Sequence, residues 1–222
     1  LYVCICLVAL MPLSTSAAKK QKHPKKAKTE LWPDGTKMDT WFRQAQKVNV
    51  DSLGKQYVIT DYGVKTDSTL LQTTAIQGVI DLAAQQGGGV IVVPKGTYLS
   101  GALFFRPKTH LLLSEGSKLK ASDRIAHFPI LLTRMEGETC KYFSAFINAD
   151  RCDGFTIAGK GTIDGNGRHY WEEFWIRRQW NSQCTNKDAQ RPRLVYISNS
   201  SHVTLQDVHL QNSPFWTNHI YR

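Results

Sequence analysis

Short apolar segments separated by glycine, proline, asparagine and aspartate fill the chain from about residue 90 onward. In three of them, two apolar residues two positions apart are followed six residues later by a third, with glycine in the interval. The three copies are Val90-x-Val92 with Tyr98, Leu111-x-Leu113 with Leu119, and Phe155-x-Ile157 with Ile163. A looser copy is Val203-x-Leu205, followed by Val208 and Leu210. The copies start 21, 44 and 48 residues apart, close to one or two repeats of about twenty residues, which is typical of solenoids.

This repeat has a simple structural interpretation. Apolar residues two positions apart point to the same side of a strand, glycine allows a tight corner, and the later apolar residue belongs to the next face of a coil. A single coil cannot bury its own apolar residues, so coils stack. The pattern predicts an all-β fold, a right-handed parallel β-helix. A β-sandwich, which also has short strands and turn residues, is the alternative.

One helix is predicted, over residues 69–86. Asp67-Ser68 supplies residues that favour a helix start, and the Gly87-Gly88-Gly89 run ends the helix. Its apolar stripe consists of Leu71, Ala75, Ile76, Val79, Ile80 and Ala83. Because the open end of a solenoid exposes apolar edges, this helix is well placed to cap the first coil.

The N-terminal part of the chain differs in composition from the rest. Residues 1–13 are uncharged and apolar, too short for a typical membrane span, and small residues follow them up to Ala18. We interpret 1–18 as a signal peptide clipped at its start, 19–56 as a Lys-rich linker and N-terminal extension, and 57–222 as the β-helix domain. We therefore expect a secreted or periplasmic protein, with no membrane association after cleavage.

The net charge of +10 is concentrated near the N-terminus, because residues 19–28 contain six lysines and no acid. The remainder carries +4. We interpret the lysines as a solvated linker rather than a nucleic-acid arm. After removal of residues 1–18, the odd set Cys140, Cys152 and Cys184 remains, which permits one disulfide and matches no zinc pattern.

Residues 168–193 interrupt the coils with three tryptophans and five arginines. Tryptophan can stack on sugar rings and arginine can hold carboxylates, whereas the simpler interpretation is a loop whose tryptophans cover the flank of the β-helix. Glu172 and Glu173 would face opposite sides of a strand, so we interpret them as solvated. Asp164 fits Asp-Gly turn chemistry better than a catalytic acid.

The string DYGVKTDSTLLQTTAIQGVIDLAAQQGGGVIVVPKGTYLSGALFFRPKTHLLLSEGSKLKAS, residues 61–122, resembles the opening of glycoside hydrolase family 28, the polygalacturonases and related pectin hydrolases. The same family order continues in GKGTIDGNGRHYW (159–171), RPRLVYISNS (191–200) and VTLQDVHLQNSPFWTNHIYR (203–222). The resemblance implies a pectin-lyase-like β-helix, hydrolysis of galacturonide links with inversion, an acidic polysaccharide partner, no cofactor or metal, and a monomer in the full-length protein.

The family's catalytic motifs are Asn-Thr-Asp, Asp-Asp, Gly-His-Gly and Arg-Ile-Lys, and none occurs in this sequence. We therefore expect an N-terminal part of the enzyme, truncated at its C-terminal end, without catalytic residues and inactive alone. Trp216 and His219 are the candidate substrate-binding residues. Two alternatives remain: a polysaccharide lyase on the same fold, using calcium and a basic residue, and a non-catalytic β-helical adhesin or carbohydrate-binding module.

Overall fold

The computed structural model describes residues 31–39, 42 and 47–222, and the chain divides into two compact units between residues 46 and 47. The predicted signal peptide and the lysine cluster lie outside the described residues. In the first unit, Pro33-Asp34-Gly35 forms a turn. Asp34 Oδ1 accepts hydrogen bonds from the backbone N–H and the hydroxyl of Thr36, at 2.9 and 2.7 Å.

The second unit, Lys47–Arg222, contains fifteen strands and two α-helices. The helices are α1, Thr73–Gln85, and α2, Arg168–Trp180. The strands are β1 Gln56–Val58, β2 Gly89–Val93, β3 Gly96–Ser100, β4 Leu103–Phe105, β5 Thr109–Leu113, β6 Ser117–Ala121, β7 Ile130–Met135, β8 Glu138–Phe143, β9 Ile147–Asp150, β10 Thr156–Gly159, β11 Thr162–Asp164, β12 Val195–Ser198, β13 Thr204–Gln206, β14 His209–Gln211 and β15 Asn218–Tyr221.

Three parallel sheets form the walls of a β-helix. They have the strand orders β1-β2-β5-β10-β13, β3-β6-β11-β14 and β4-β9-β12-β15, and we call the last one the cleft sheet. Each full coil adds one strand to each sheet; the last coil, for example, consists of β13, β14 and β15. The parallel pairing and the coil order match the solenoid that the repeat predicted.

The predicted stacking of apolar residues is confirmed on the second sheet and needs a shift on the first. Tyr98, Leu119, Ile163 and Leu210 lie side by side in register. On the first sheet, Ile91, Leu111, Ile157 and Leu205 lie side by side. Relative to Leu111, the predicted alignment was therefore wrong by one residue for the copy at Val90 and by two residues for the copies at Phe155 and Val203. Residues 90–93 are all buried, and an unbroken apolar run does not reveal which alternate residues face inward.

The capping helix is shorter than expected, because it begins at Thr73 rather than at residue 69. Ile76, Val79, Ile80 and Ala83 are buried as predicted, whereas Leu71 and Ala75 are exposed. Asp67 does not cap the helix; its carboxylate accepts hydrogen bonds from Thr69 and Leu70 in a preceding turn. That local bond competes with helix formation and delays the helix start.

A side chain of α1 covers the exposed edge of the cleft sheet. Gln77 Nε2 donates to the backbone oxygen of Phe104 at 2.9 Å, and Gln77 Oε1 accepts from the backbone nitrogen of Phe104 at 2.8 Å. Phe104 belongs to β4, the first strand of that sheet. The helix therefore pairs the free backbone groups of an edge strand as a cap must.

Two insertions leave the coils at the same corner, between the second sheet and the cleft sheet. The antiparallel hairpin β7–β8 lies between β6 and β9, and α2 lies between β11 and β12 one coil later. They contact each other, since the Tyr142 hydroxyl donates to the backbone oxygen of Ala189 and Asn186 Nδ2 donates to Glu136 Oε1. The two insertions thus form one wall beside the cleft sheet.

Helix α2 corrects the expectation of a strand or loop after residue 168. Glu172 and Glu173 are exposed as expected, but each forms an i,i+4 ion pair on a helix, with Arg168 at 2.8 Å and with His169 at 3.1 Å. The expected cover of the β-helix by tryptophans holds for Trp171, whose Nε1 donates to the Ser213 backbone oxygen of the last coil at 2.9 Å, whereas Trp175 and Trp180 are largely exposed. Tyr170 and Phe174 form the buried face of α2. In the part of the chain that the structure describes, neither helix is long and apolar enough to cross a membrane.

Candidate functional site

A cleft of about 780 Å³ lies on the outer face of the cleft sheet. Its floor follows one row of neighbouring outward side chains, Phe104, Asn148 and Tyr196, which are partners in the strand register. Leu131 and Leu132 of the β7–β8 hairpin form part of its side. The first insertion therefore turns a flat sheet face into a groove.

Arg193 is the central polar group beneath this groove, and it is fully buried. Its Nη1 donates to the backbone oxygen of Arg134 at 2.9 Å, and its Nη2 donates to Thr133 Oγ1 at 3.0 Å and to the Phe143 backbone oxygen at 3.3 Å. No carboxylate of the described residues lies within ion-pair distance of it, and its Nε has no hydrogen-bond partner. Burial lowers the pKa of this guanidinium, although arginine stays charged.

His219, which the sequence singled out, lies on β15 next to Tyr196 in the register. Its Nδ1 is 2.9 Å from Arg193 Nη1, and its ring meets the Tyr196 ring edge-on at 4.9 Å between centroids. Burial, followed by the charge of Arg193, lowers the pKa of His219. Because arginine can only donate, Nδ1 is the acceptor, and the neutral imidazole carries its proton on Nε2.

Trp216 lies in the turn before β15 and is half-buried. Its ring is stacked on Phe215 at 4.6 Å and meets His219 edge-on at 4.9 Å. Neither Trp216 nor His219 lines the cleft directly; His219 contacts the lining residues Arg193 and Tyr196, and Trp216 supports His219. Their role as substrate-binding residues therefore stays a prediction.

The cleft is positively charged. Its lining contains Arg106, Arg151 and Arg193 and one carboxylate, that of Asp150, while Arg106 is paired at 2.8 Å with Asp81 outside the lining. The Asp150 carboxylate is already engaged, by Arg151 at 3.0 Å, by the Ser198 hydroxyl at 2.8 Å and by Asn199 Nδ2 at 2.6 Å. The arrangement can bind an anionic ligand, and its one acid is a structural acceptor.

The sequence did not single out Arg193 or Tyr196. Arg193 was noted only as one of five arginines in the 168–193 stretch. The available sequence signal was its position two residues before the apolar segment that forms β12, because outward-facing residues of that strand line the cleft. The acceptors that fix it come from the hairpin 50 to 60 positions earlier, and no local pattern reveals such a contact.

Asp164 has the turn role expected of it. It is buried and accepts hydrogen bonds from the backbone of Asn166 and from the side chains of Gln211 and Asn212. Although burial opposes it, these hydrogen bonds together with Lys118 lower the pKa of Asp164. Cys140, Cys152 and Cys184 are free thiols, and no group of potential metal ligands occurs among the described residues.

Comparison with known proteins decides the family. The model of glycosyl hydrolases family 28 matches residues 90–222, which is more than half of the chain. The chain belongs to this family. The resemblance seen in the sequence and the right-handed parallel β-helix that it implied are thereby confirmed.

Relatives of this family 28 chain include a galacturonosidase and a polygalacturonase. An exo-poly-alpha-D-galacturonosidase of Dickeya chrysanthemi is 36% identical over 117 residues, 49% of this chain and 19% of that protein. An endo-polygalacturonase of Pectobacterium carotovorum is 28% identical over 162 residues, 68% of this chain and 39% of that protein.

A solved structure supports the fold of this family 28 chain. The family 28 exopolygalacturonase of Yersinia enterocolitica superposes with a TM-score of 0.62 at 22% identity, over 72% of this chain and 35% of that one. The chain thus spans well under half the length of these relatives.

Proposed function

We propose that the protein is a hydrolase of galacturonate-containing pectic polysaccharide and that its cleft sheet holds the polymer. The observation that carries the proposal is Arg193, a buried guanidinium without a carboxylate partner among the described residues, beneath a groove lined by two more arginines. An unpaired buried cation is costly, and an anionic ligand compensates its charge. A uronate polymer supplies one carboxylate per sugar. The Nη atoms of Arg193 already donate to protein acceptors, so Arg193 attracts the polymer by its charge, whereas the exposed guanidinium of Arg151 can donate hydrogen bonds to a carboxylate directly.

The proposed reaction is hydrolysis with inversion. It requires one carboxylic acid to protonate the leaving oxygen and one carboxylate, on the opposite face of the sugar, to activate water. Asp150, the one acid that lines the cleft, is held by Arg151, Ser198 and Asn199 and does not fit either role. We therefore assign substrate binding to the described coils and expect no hydrolysis from these 222 residues alone.

Export is the second part of the proposal. The apolar residues 1–13 followed by small residues up to Ala18 support it, and pectic polymers are too large to cross a membrane unaided. N-terminal sequencing of the protein recovered from the medium or periplasm tests the point. A mature protein that begins at Lys19 is expected, and a secreted form that retains residues 1–18 would contradict the assignment.

The function is tested by offering the 222-residue chain polygalacturonate and a neutral glucan side by side. We expect retention on polygalacturonate only, with neither new reducing ends nor ultraviolet-absorbing unsaturated uronides. Reducing ends without unsaturation would show that the chain hydrolyses alone and would overturn the binding-only assignment. Unsaturated products would establish a lyase, and equal retention on the neutral glucan would overturn the proposed substrate class.

A further inference from the structure

A second pocket, of about 380 Å³, shares no lining residue with the cleft and lies between α2 and residues 189–191. Its lining includes Tyr170, Phe174 and Arg177 from α2 and Arg191 from the following segment. Two guanidinium groups therefore face one cavity. The one acid in its lining, Glu173, is 3.1 Å from His169 Nε2 on the preceding turn.

Arg191 is built into this pocket rather than placed on its surface. Its side chain is 92% buried, since only 8% is exposed, and its guanidinium lies between the rings of Phe174 and Phe215, at 4.0 and 4.6 Å from their centroids. Nη2 donates to Asn186 Oδ1 at 2.8 Å, while Nε has no hydrogen-bond partner. Burial lowers the pKa of this guanidinium. The pocket thus holds a desolvated cation with unused hydrogen-bonding capacity, a group that favours an anionic ligand.

Helix α2 carries an exposed tryptophan, a residue type that stacks on sugar rings, on the same face as Arg177. Arg177 is fixed by a hydrogen bond of 2.9 Å from its Nη1 to the Asp188 backbone oxygen. Trp180 follows Arg177 by three positions and therefore lies on the same face of α2, and it is 88% exposed. An exposed indole on the same helix face as Arg177, at the edge of a pocket lined by two arginines, suits a ligand that has both a flat apolar face and a carboxylate.

We propose that this pocket binds a uronate sugar at a site separate from the cleft, with Arg177 and Arg191 meeting the carboxylate and Trp180 meeting the sugar ring. The identity of the ligand rests on the proposed function, because the acidic polymer is the expected partner. A second contact on the same polymer would raise the effective concentration of substrate at the cleft.

The test titrates the chain with D-galacturonate and with D-galactose, which lacks only the carboxylate, and follows the indole N–H signals by NMR. The Trp180 signal is assigned with Trp180→Phe. We expect galacturonate, and not galactose, to shift the Trp180 signal while the signal of Trp175, on the opposite face of α2, stays in place. Since neither sugar contains a glycosidic bond, the result is independent of whether the protein hydrolyses pectin.

Two arginines of α2 provide matched variants. Arg177→Gln should weaken galacturonate binding at Trp180 at least fivefold, Arg177→Lys should restore most of it, and Arg168→Gln, which pairs with Glu172 and lines neither pocket, should leave it within twofold. The proposal is overturned if Trp180 does not respond, if galactose shifts it equally, or if Arg177→Gln and Arg168→Gln behave alike.

Discussion

Arg193 donates a hydrogen bond of 2.9 Å from Nη1 to Nδ1 of His219, joining the segment before β12 to the last strand of the cleft sheet. The contact fixes the neutral form of His219 with its proton on Nε2, because an imidazolium would place two donors against each other. It also couples the orientation of the histidine to the charge beneath the cleft. A positioning role for Arg193 follows from this geometry.

Two substitutions of Arg193 distinguish the effect of its positive charge from the effect of its planar guanidinium group. Arg193→Met should raise the pKa of His219, measured by NMR titration, and lower the free energy of unfolding by about 3 kcal/mol, since several buried acceptors lose their donor. Arg193→Lys keeps the charge but not the planar fork, so the pKa of His219 should stay low while much of the stability is lost. An unchanged pKa in Arg193→Met would contradict the coupling.

Acidification should lower the free energy of unfolding over a pH range that is set by two histidines. The pKa values of His110, through burial, and of His219, through burial and Arg193, are lowered in the folded state. The unfolded chain therefore takes up these protons first, and stability falls as pH drops through the unfolded value of about 6.5 until the folded histidines are also protonated. Denaturant unfolding between pH 7.5 and 5 measures how the free energy of unfolding depends on pH, and His219→Asn should make that dependence less steep. An equal slope in the variant would assign the effect elsewhere.

Two glycines with different surroundings should respond in opposite directions to alanine. A Cβ on Gly161 would lie 2.1 Å from Ser117 Oγ and 2.8 Å from Leu113 Cβ of the neighbouring coil, so Gly161→Ala should cost about 1–3 kcal/mol. Gly78 lies within α1 with nothing within 4 Å of its Cβ position, so Gly78→Ala should stabilise by about 1 kcal/mol. Thermal unfolding of both variants tests the coil contacts, and destabilisation of equal size would be evidence against them.

Histidines on different sheets test the predicted substrate-binding role of His219. His219→Ala removes the ring that contacts Arg193, Tyr196 and Trp216 and should weaken trigalacturonate binding about tenfold to a hundredfold, the effect of losing one hydrogen bond to the charged uronate. His209→Ala, on β14 of another sheet, should change it less than twofold. Equal affinities for the two variants, measured by calorimetry, would remove His219 from the list of binding residues.

The solenoid was predictable from sequence because its signal is local: apolar pairs, corner glycines and a fixed spacing. Tyr98, Leu119, Ile163 and Leu210 stack as that pattern requires. The exact register at Val90 was not predictable, since the four consecutive apolar residues 90–93 satisfy either choice of inward face. Helix α2 was missed because only Tyr170 and Phe174 form its buried face, too few to produce an apolar stripe.

The polar side chains of the site were less predictable from sequence than the coils. His219 was accessible to sequence reasoning because it belongs to a recognisable final segment. The position of Arg193 is fixed by hydrogen-bond acceptors on Thr133, Arg134 and Phe143 of the β7–β8 hairpin, which is inserted one coil before Arg193. Contacts across such distances depend on how the two insertions pack, and that packing has no periodic signal.

Binding of a galacturonate polymer in the cleft can be tested with two arginine variants, by measuring the dissociation constant of trigalacturonate for each. Arg151 lines the cleft and pairs with Asp150 at 3.0 Å, whereas Arg168 pairs with Glu172 at 2.8 Å on α2 and lines neither pocket. We predict about tenfold weaker binding for Arg151→Gln and an unchanged constant for Arg168→Gln, because Arg151 lines the cleft and Arg168 does not. Wild-type affinity in Arg151→Gln, or equal losses in both variants, would contradict it.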